Sequence, residues 1–331
     1  MTRIGIQYLA AAASVLAFAV VVLGAFVRLT DAGLGCPDWP GCYGQIGVPE
    51  SGSVPGDYER PLERGKAWKE MIHRYFAGTL GLVIAVLGFW AWRRRHQPGE
   101  SATLPLFLVA LVVFQAALGM WTVTLLLKPL VVTAHLLGGM ATLALLWWVA
   151  LRRGGWWLSA REASPAWRKA ALIALVVVIA QIALGGWTSA NYAALACPEF
   201  PACYQGQWWP PTNFGEAFTL WHGLGIDYEG GVLTHPARTA IHLTHRLGAV
   251  VTLLVVGTVA VALMRARTGR PTVRMGGALA LLVLAQVGLG IANVIFGLPL
   301  AVAVAHNALA AALLVALVTL NHMLRPVGPA A

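Results

Sequence analysis

The stretch LGAFVRLTDAGLGCPDWPGCYGQ, residues 23–45, is written a second time as LGGWTSANYAALACPEFPACYQGQ, residues 184–207. In each copy a cysteine follows 12 residues after the leading glycine, from Gly24 to Cys36 and from Gly185 to Cys197. Further landmarks recur in the same order. EMIHR (Glu70–Arg74) answers to HLTHR (His242–Arg246), and QAALG (Gln115–Gly119) answers to QVGLG (Gln286–Gly290). An Ala-His pair opens a segment at His135 and again at His306. The series reads as a tandem duplication, with halves at residues 1–155 and 156–331.

The composition says what is duplicated. Of 331 residues, 58% are hydrophobic and only 11% charged, about half the charge of a soluble protein. Eight apolar segments, near 8–27, 71–92, 104–124, 130–151, 168–187, 239–264, 275–296 and 299–323, are each close to the roughly 20 residues that cross a bilayer. Backbone polar groups in lipid must pair internally, so these are helices. The expected fold is all-α and integral to the membrane: eight transmembrane helices as two four-helix bundles. The first segment is too long for a signal-peptide core and Arg28 follows it without a clear cleavage site, so it is read as an uncleaved span.

Net charge is +10, yet no nucleic-acid partner is implied. The basic residues concentrate in three short connections: Arg93–Arg95, a group from Arg152 and Arg153 through Arg161 to Lys169, and a group from Arg265 and Arg267 to Arg274. Positive connections stay in the cytoplasm, which puts both termini there. The long connections 31–70 and 188–238 then lie outside an inner (plasma) membrane. Cys36, Cys42, Cys197 and Cys203 all fall in these outer loops, where disulfides persist. Their C-x5-C spacing is not a C-x-x-C metal or thioredoxin pattern. Trp39, Trp121, Trp187, Trp208 and Trp209 read as anchors at the outer interface, and Trp147, Trp148, Trp156 and Trp157 at the inner one.

Ionisable residues inside a membrane are costly and mark function. His73 and His135 are 62 residues apart in one half, and His245 and His306 are 61 apart in the other. All four sit near the outer ends of even-numbered segments. Two facing imidazoles per half suit two metal centres, most simply two hemes, each iron gripped from opposite faces. Small residues one turn on, such as Gly78, Gly138, Gly139, Gly248 and Ala310, leave a flat face for a macrocycle or serve close helix packing. Glu70 lies three residues before His73 and faces the same way. It either shuttles protons or polarises a substrate, or simply ends the outer loop. His242 takes its place in the second half, one turn before His245, and its role stays open. Arg28, Arg74 and Arg246 are placed to pair with propionates or to snorkel to the interface. His96, His222, His235 and His322 show no pattern and receive no role.

Together, GAFVRLTDAGLGCPDWPGC, EMIHR, AHLLGG (Ala134–Gly139), LTHR (Leu243–Arg246) and the final AHN (Ala305–Asn307) resemble the heme A synthase family, from about Gly24 to Asn307. The resemblance implies an eight-helix enzyme that oxidises the C8 methyl of heme O to a formyl group, giving heme A. It implies that His245 and His306 ligate a resident heme b. His73 and His135 would form the substrate site, with Glu70 as the functional carboxylate. It suggests a Cys36–Cys42 disulfide, and by the repeat Cys197–Cys203, with a loop staple as the plainer role. It favours water as the oxygen source. The implied partners are heme O, a heme O synthase that hands it over, an electron acceptor that the chain does not identify, and membrane lipid. Three other classes share features: a diheme cytochrome b electron carrier, a quinone-linked membrane disulfide oxidoreductase, and a heme transporter.

Overall fold

The computed structural model describes residues 3–50, 58, 60–98, 100–153, 165–266 and 269–325. Trp156, Trp157, Arg161 and Arg267 lie outside the described residues. Among those described, all regular structure is helical apart from two isolated bridges. The helices are α1 (Arg3–Leu29), α2 (Arg64–Arg93), α3 (Thr103–Thr124), α4 (Pro129–Arg153), α5 (Pro165–Ala190), α6 (Phe214–Ala217), α7 (His235–Arg265), α8 (Arg270–Ile295) and α9 (Leu300–Met323). Eight of them, all but α6, are long and apolar enough to cross a membrane.

Local chemistry sets the boundaries. Pro129 and Pro165 open α4 and α5, proline stands in the first turn of α7 and α8, and Pro299 precedes α9. Proline's fixed φ suits a helix start, where its missing N–H costs nothing. At the other end, Asp31 (φ 47°) closes α1 and Tyr192 (φ 52°) closes α5 in the left-handed region. There Ala32 N–H donates to the carbonyl of Val27 and Ala193 N–H to that of Thr188. Helices α2 and α7 begin earlier than hydropathy indicates, at Arg64 and His235 rather than near 71 and 239. Their first turns are polar or partly exposed and stand above the apolar run, which hydropathy alone cannot see.

The packing forms two closed rings. Helix α1 touches α2 and α4, and α3 bridges α2 to α4. In the second half α5 touches α7 and α9, and α8 bridges α7 to α9. The halves meet through α1 against α9, α4 against α5, and α4 against α9. Exchanging each helix for its counterpart maps these contacts onto themselves.

Along the bundle the packing is uneven. A dense core fills the end away from the cysteine loops, from Ile6 and Ala17 on α1 and Ile84 and Leu87 on α2 to Leu143 and Leu146 on α4 and Leu314 and Leu317 on α9. Separate small clusters lie under the loops, around Cys36, Cys42, Tyr43 and Met71, and around Trp187, Ala217 and Ile241. Between the two levels, residues 18–26 of α1, 134–139 of α4 and 304–310 of α9 are neither buried nor fully exposed. Helices α4 and α9 each have four helical neighbours. Partial accessibility all round such helices marks looser packing than the dense interior typical of proteins. This is the level of the paired histidines.

The tryptophans sort differently from the sequence expectation. Trp39, Trp121, Trp208 and Trp209 are exposed. Trp187 is buried, and its indole N–H donates to the Ala217 carbonyl at 2.9 Å. Trp147 donates to Thr319 Oγ1 at 2.8 Å across the interface of the halves. Both are interior posts rather than interface anchors, because their N–H groups have partners inside.

Candidate functional site

Each paired histidine packs against a glycine of a neighbouring helix. Cβ atoms placed on Gly24, Gly119, Gly185 and Gly290 would lie 3.0, 3.3, 3.2 and 3.3 Å from Cε1 of His73, His135, His245 and His306 respectively. Ordinary carbon–carbon contacts begin near ~3.5 Å, so any side chain there would push the ring. The glycines thus set the depth and lateral position of the imidazoles. Nδ1 of His73, His135 and His306 is buried with no hydrogen-bond partner. Buried polar atoms are seldom left unpaired, so these three rings are candidates to serve a bound group.

A second set of residues escaped the sequence reading. Gln115, Gln181 and Gln286 each stand four residues before a ring-bearing glycine, so glutamine and glycine share a helix face. Gln181 Nε2 lies 3.0 Å from the carbonyl of His245 and 3.1 Å from its Nδ1. Gln286 Nε2 lies 3.3 Å from Nε2 of His306. Gln115 Nε2 donates to the carbonyl of His135 at 3.2 Å. The Q-x3-G pattern was visible in QAALG and QVGLG but served only as a landmark of the repeat. These carboxamides also explain two small residues. A Cβ at Gly138 or Gly248 would fall within 1.8 Å of Gln115 Nε2 or 2.2 Å of Gln181 Oε1. That space belongs to the glutamines, not to a macrocycle. Gly78, by contrast, has nothing within 4 Å of its added Cβ.

Glu70 and His242 do the same structural job. Cys36 N–H donates to Glu70 Oε2 at 2.9 Å, and Cys197 N–H donates to His242 Nδ1 at 3.2 Å. One turn later, Arg74 pairs with Glu70 Oε1 and donates to the carbonyls of Asp38, Pro40 and Gly41. Arg246 Nε lies 3.2 Å from His242 Nε2, and its terminal nitrogens donate to the carbonyls of Ala202, Cys197 and Glu199. Each arginine thus binds its own cysteine loop. Cys36–Cys42 and Cys197–Cys203 are disulfide-bonded. Asp38 accepts the Tyr43 and Gly44 N–H groups, and Glu199 those of Gln205 and Gly206. Arg28 stands apart from both pairs. It crosses between the halves to the Ser189 carbonyl at 2.6 Å and lies 4.1 Å over the Tyr192 ring.

The second outer loop reaches over the first half. Arg60 pairs with Asp227 and Glu229. Tyr228 N–H donates to the Leu126 carbonyl at 3.1 Å, and its ring is buried against Leu34 and Leu127. Lys128 donates to the Gly223 carbonyl at 2.5 Å, with its ammonium 3.0 Å over the Trp221 ring. Burial pushes the Lys128 ammonium below its ordinary 10.5 and the Tyr228 hydroxyl above its ordinary 10.0. Among the outlying histidines, His235 heads α7 and His322 is buried edge-on to Trp148.

A family model described as cytochrome oxidase assembly protein (COX15-CtaA) matches residues 7–318. The chain is 44% identical over 313 residues to a heme A synthase of Shewanella oneidensis, covering 92% of each. It is 28% identical to a heme A synthase of Rhizorhabdus wittichii, covering 93% of this chain and 91% of that one. It is 29% identical to one of Caulobacter sp. strain K31, covering 94% of each.

Proposed function

The chain belongs to the cytochrome oxidase assembly (COX15-CtaA) family, and on that premise we propose how its residues share the oxidation of the heme O methyl group. It is a multi-pass membrane oxidoreductase of the heme A synthase type, converting heme O to heme A. Turning a methyl into an aldehyde takes two successive hydroxylations and loss of water. With water as the oxygen source, R–CH3 + H2O becomes R–CHO with release of four protons and four electrons.

The two halves divide the work, as tandem copies of one four-helix unit. In residues 156–331, His245 and His306 hold a resident heme b. The residues suit it: two imidazoles, each seated on a glycine, with a buried His306 Nδ1 left over. A heme bound there supplies one-electron chemistry that no side chain offers. In residues 1–155, His73 and His135 bind the heme O substrate. The observation that carries this division is the difference between Glu70 and His242 at otherwise matching positions. Only the first half places a carboxylate one turn from a paired histidine.

Glu70 holds the cysteine loop over the site and is a carboxylate able to take up protons released from the substrate. Arg74 and Arg246, bound to loop carbonyls, fix those loops over the bundle ends. A propionate reaches these guanidiniums only beside the carbonyls they already serve. The disulfides act as loop staples on the outer side of the plasma membrane, and the short basic connections and both termini lie in the cytoplasm. Heme O arrives from a heme O synthase, and electrons leave to a membrane acceptor.

The test is to express the chain with heme O and analyse the extracted pigments by mass. Formyl product together with retained protoheme supports the division. Heme O recovered unchanged would point to a carrier or transporter instead. Replacing all four cysteines by serine should leave product formation in place, whereas its abolition would favour the thiol relay.

A further inference from the structure

The four histidine seats are not equivalent. Counting back one turn from the seat glycine gives Gln115 before Gly119, Gln181 before Gly185 and Gln286 before Gly290, but Val20 before Gly24. In the second half both carboxamides reach an imidazole ring, Gln181 at Nδ1 of His245 (3.1 Å) and Gln286 at Nε2 of His306 (3.3 Å), where Nδ1 is left unpaired. In the first half Gln115 reaches only the main chain of His135, and valine stands in the fourth place. Position His+3 is glycine after His135 and His245, where the glutamine side chain passes, Leu309 after His306, whose ring Gln286 still reaches, and Phe76 after His73. His73 thus rests on Gly24 with no side-chain hydrogen bond to hold its orientation, and its Nδ1 has no partner.

Partners behind a metal-binding histidine orient it, and their loss weakens the site. We infer that Gln181 and Gln286 are positioning residues that retain the second-half heme, and that Val20 leaves His73 free to turn, making the first-half heme the one that exchanges. The inference rests on the two-heme reading above. It supplies a physical reason why two like bundles hold one group as cofactor and release the other as product: an oriented ring keeps its iron, and a ring held only by van der Waals contact gives it up more readily.

The test measures release of heme from purified holoprotein to excess apomyoglobin, with each released heme identified by mass. The double variant V20Q/F76G rebuilds the missing arrangement, and V20L controls for bulk without a hydrogen-bonding group. One added net hydrogen bond corresponds to about a fivefold slower release. V20Q/F76G is therefore expected to retain the first-half heme about fivefold longer, while V20L behaves like the parent. Conversely, Q181L and Q286L should each speed protoheme release by about the same factor and alter the optical spectrum of the second-half heme. These two keep the inference testable should the double variant fail to fold. Parent-like release in V20Q/F76G, or in both glutamine variants, with both hemes bound, overturns the inference and leaves the two-heme reading standing. Failure of the parent protein to take up supplied heme O in the first half overturns both.

Discussion

Replacing Gly24 by alanine separates the seating of His73 from the stability of the fold. The added Cβ would stand 3.0 Å from His73 Cε1, about 0.5–1 Å inside the optimum for two carbons. Gly24 lies in the last turns of α1, and alanine is the better helix former by about 0.8–1.0 kcal/mol. The helix should thus hold or gain stability while the ring is pushed aside by roughly 0.5 Å. Misplacement by about 1 Å can cost on the order of 100-fold in rate. Half of that shift predicts about a tenfold loss of heme O oxidation. The control is Gly78→Ala on α2, where nothing lies within 4 Å of the new atom. Turnover, the optical spectrum of the first-half heme and the thermal midpoint would be read for each. The expected result is a displaced spectrum and slowed turnover for G24A, with an unlowered midpoint, and parent values for G78A. Parent-like spectrum and rate in G24A would refute the seating argument. A lowered midpoint would show that the glycine serves helix packing instead.

Other outcomes follow from the same geometry. His245→Ala or His306→Ala should yield protein lacking protoheme, measured by pyridine hemochrome; normal content in both would refute the assignment. Glu70→Gln keeps an acceptor for Cys36 N–H but removes the charge beside Arg74, so heme should stay bound while product formation falls at least tenfold. Arg60→Ala removes two partly exposed ion pairs, each worth about 0–1 kcal/mol. Its thermal midpoint should barely move while the second outer loop becomes more open to protease. Glu216 is held below its ordinary 4.5 by the N–H and O–H of Thr234. Its folded value is depressed, so its contribution is complete above 4.5 and fades as pH falls through the lower folded value. Thr234→Val should reduce that acid sensitivity of the loop, followed by proteolysis across pH 3–6.

The tryptophans, arginines and glutamines show where sequence reading stops. Trp187 and Trp208 look alike as aromatic residues at an apolar boundary, yet one is 7% exposed and the other 69%. Arg74 and Arg246 have the charge and position for a carboxylate ligand. Folding turns them towards loop carbonyls that lie more than thirty residues away in the chain. Glu70 was legible as a carboxylate facing the His73 side. Its bond to Cys36 was not, because it depends on where the loop returns.

What the chain determines by itself is the membrane architecture and the paired histidines. Lipid leaves the backbone no partner but itself, so apolar length alone dictates helices, and the repeat singles out four imidazoles among nine histidines. Only the tertiary structure decides what touches each imidazole. Helix rotation and crossing put a glycine under every ring, a carboxamide against two rings and against the main chain of a third, and valine in the fourth place. Those contacts join different helices at 3.0–3.3 Å, a closeness set by packing and absent from any one-dimensional pattern.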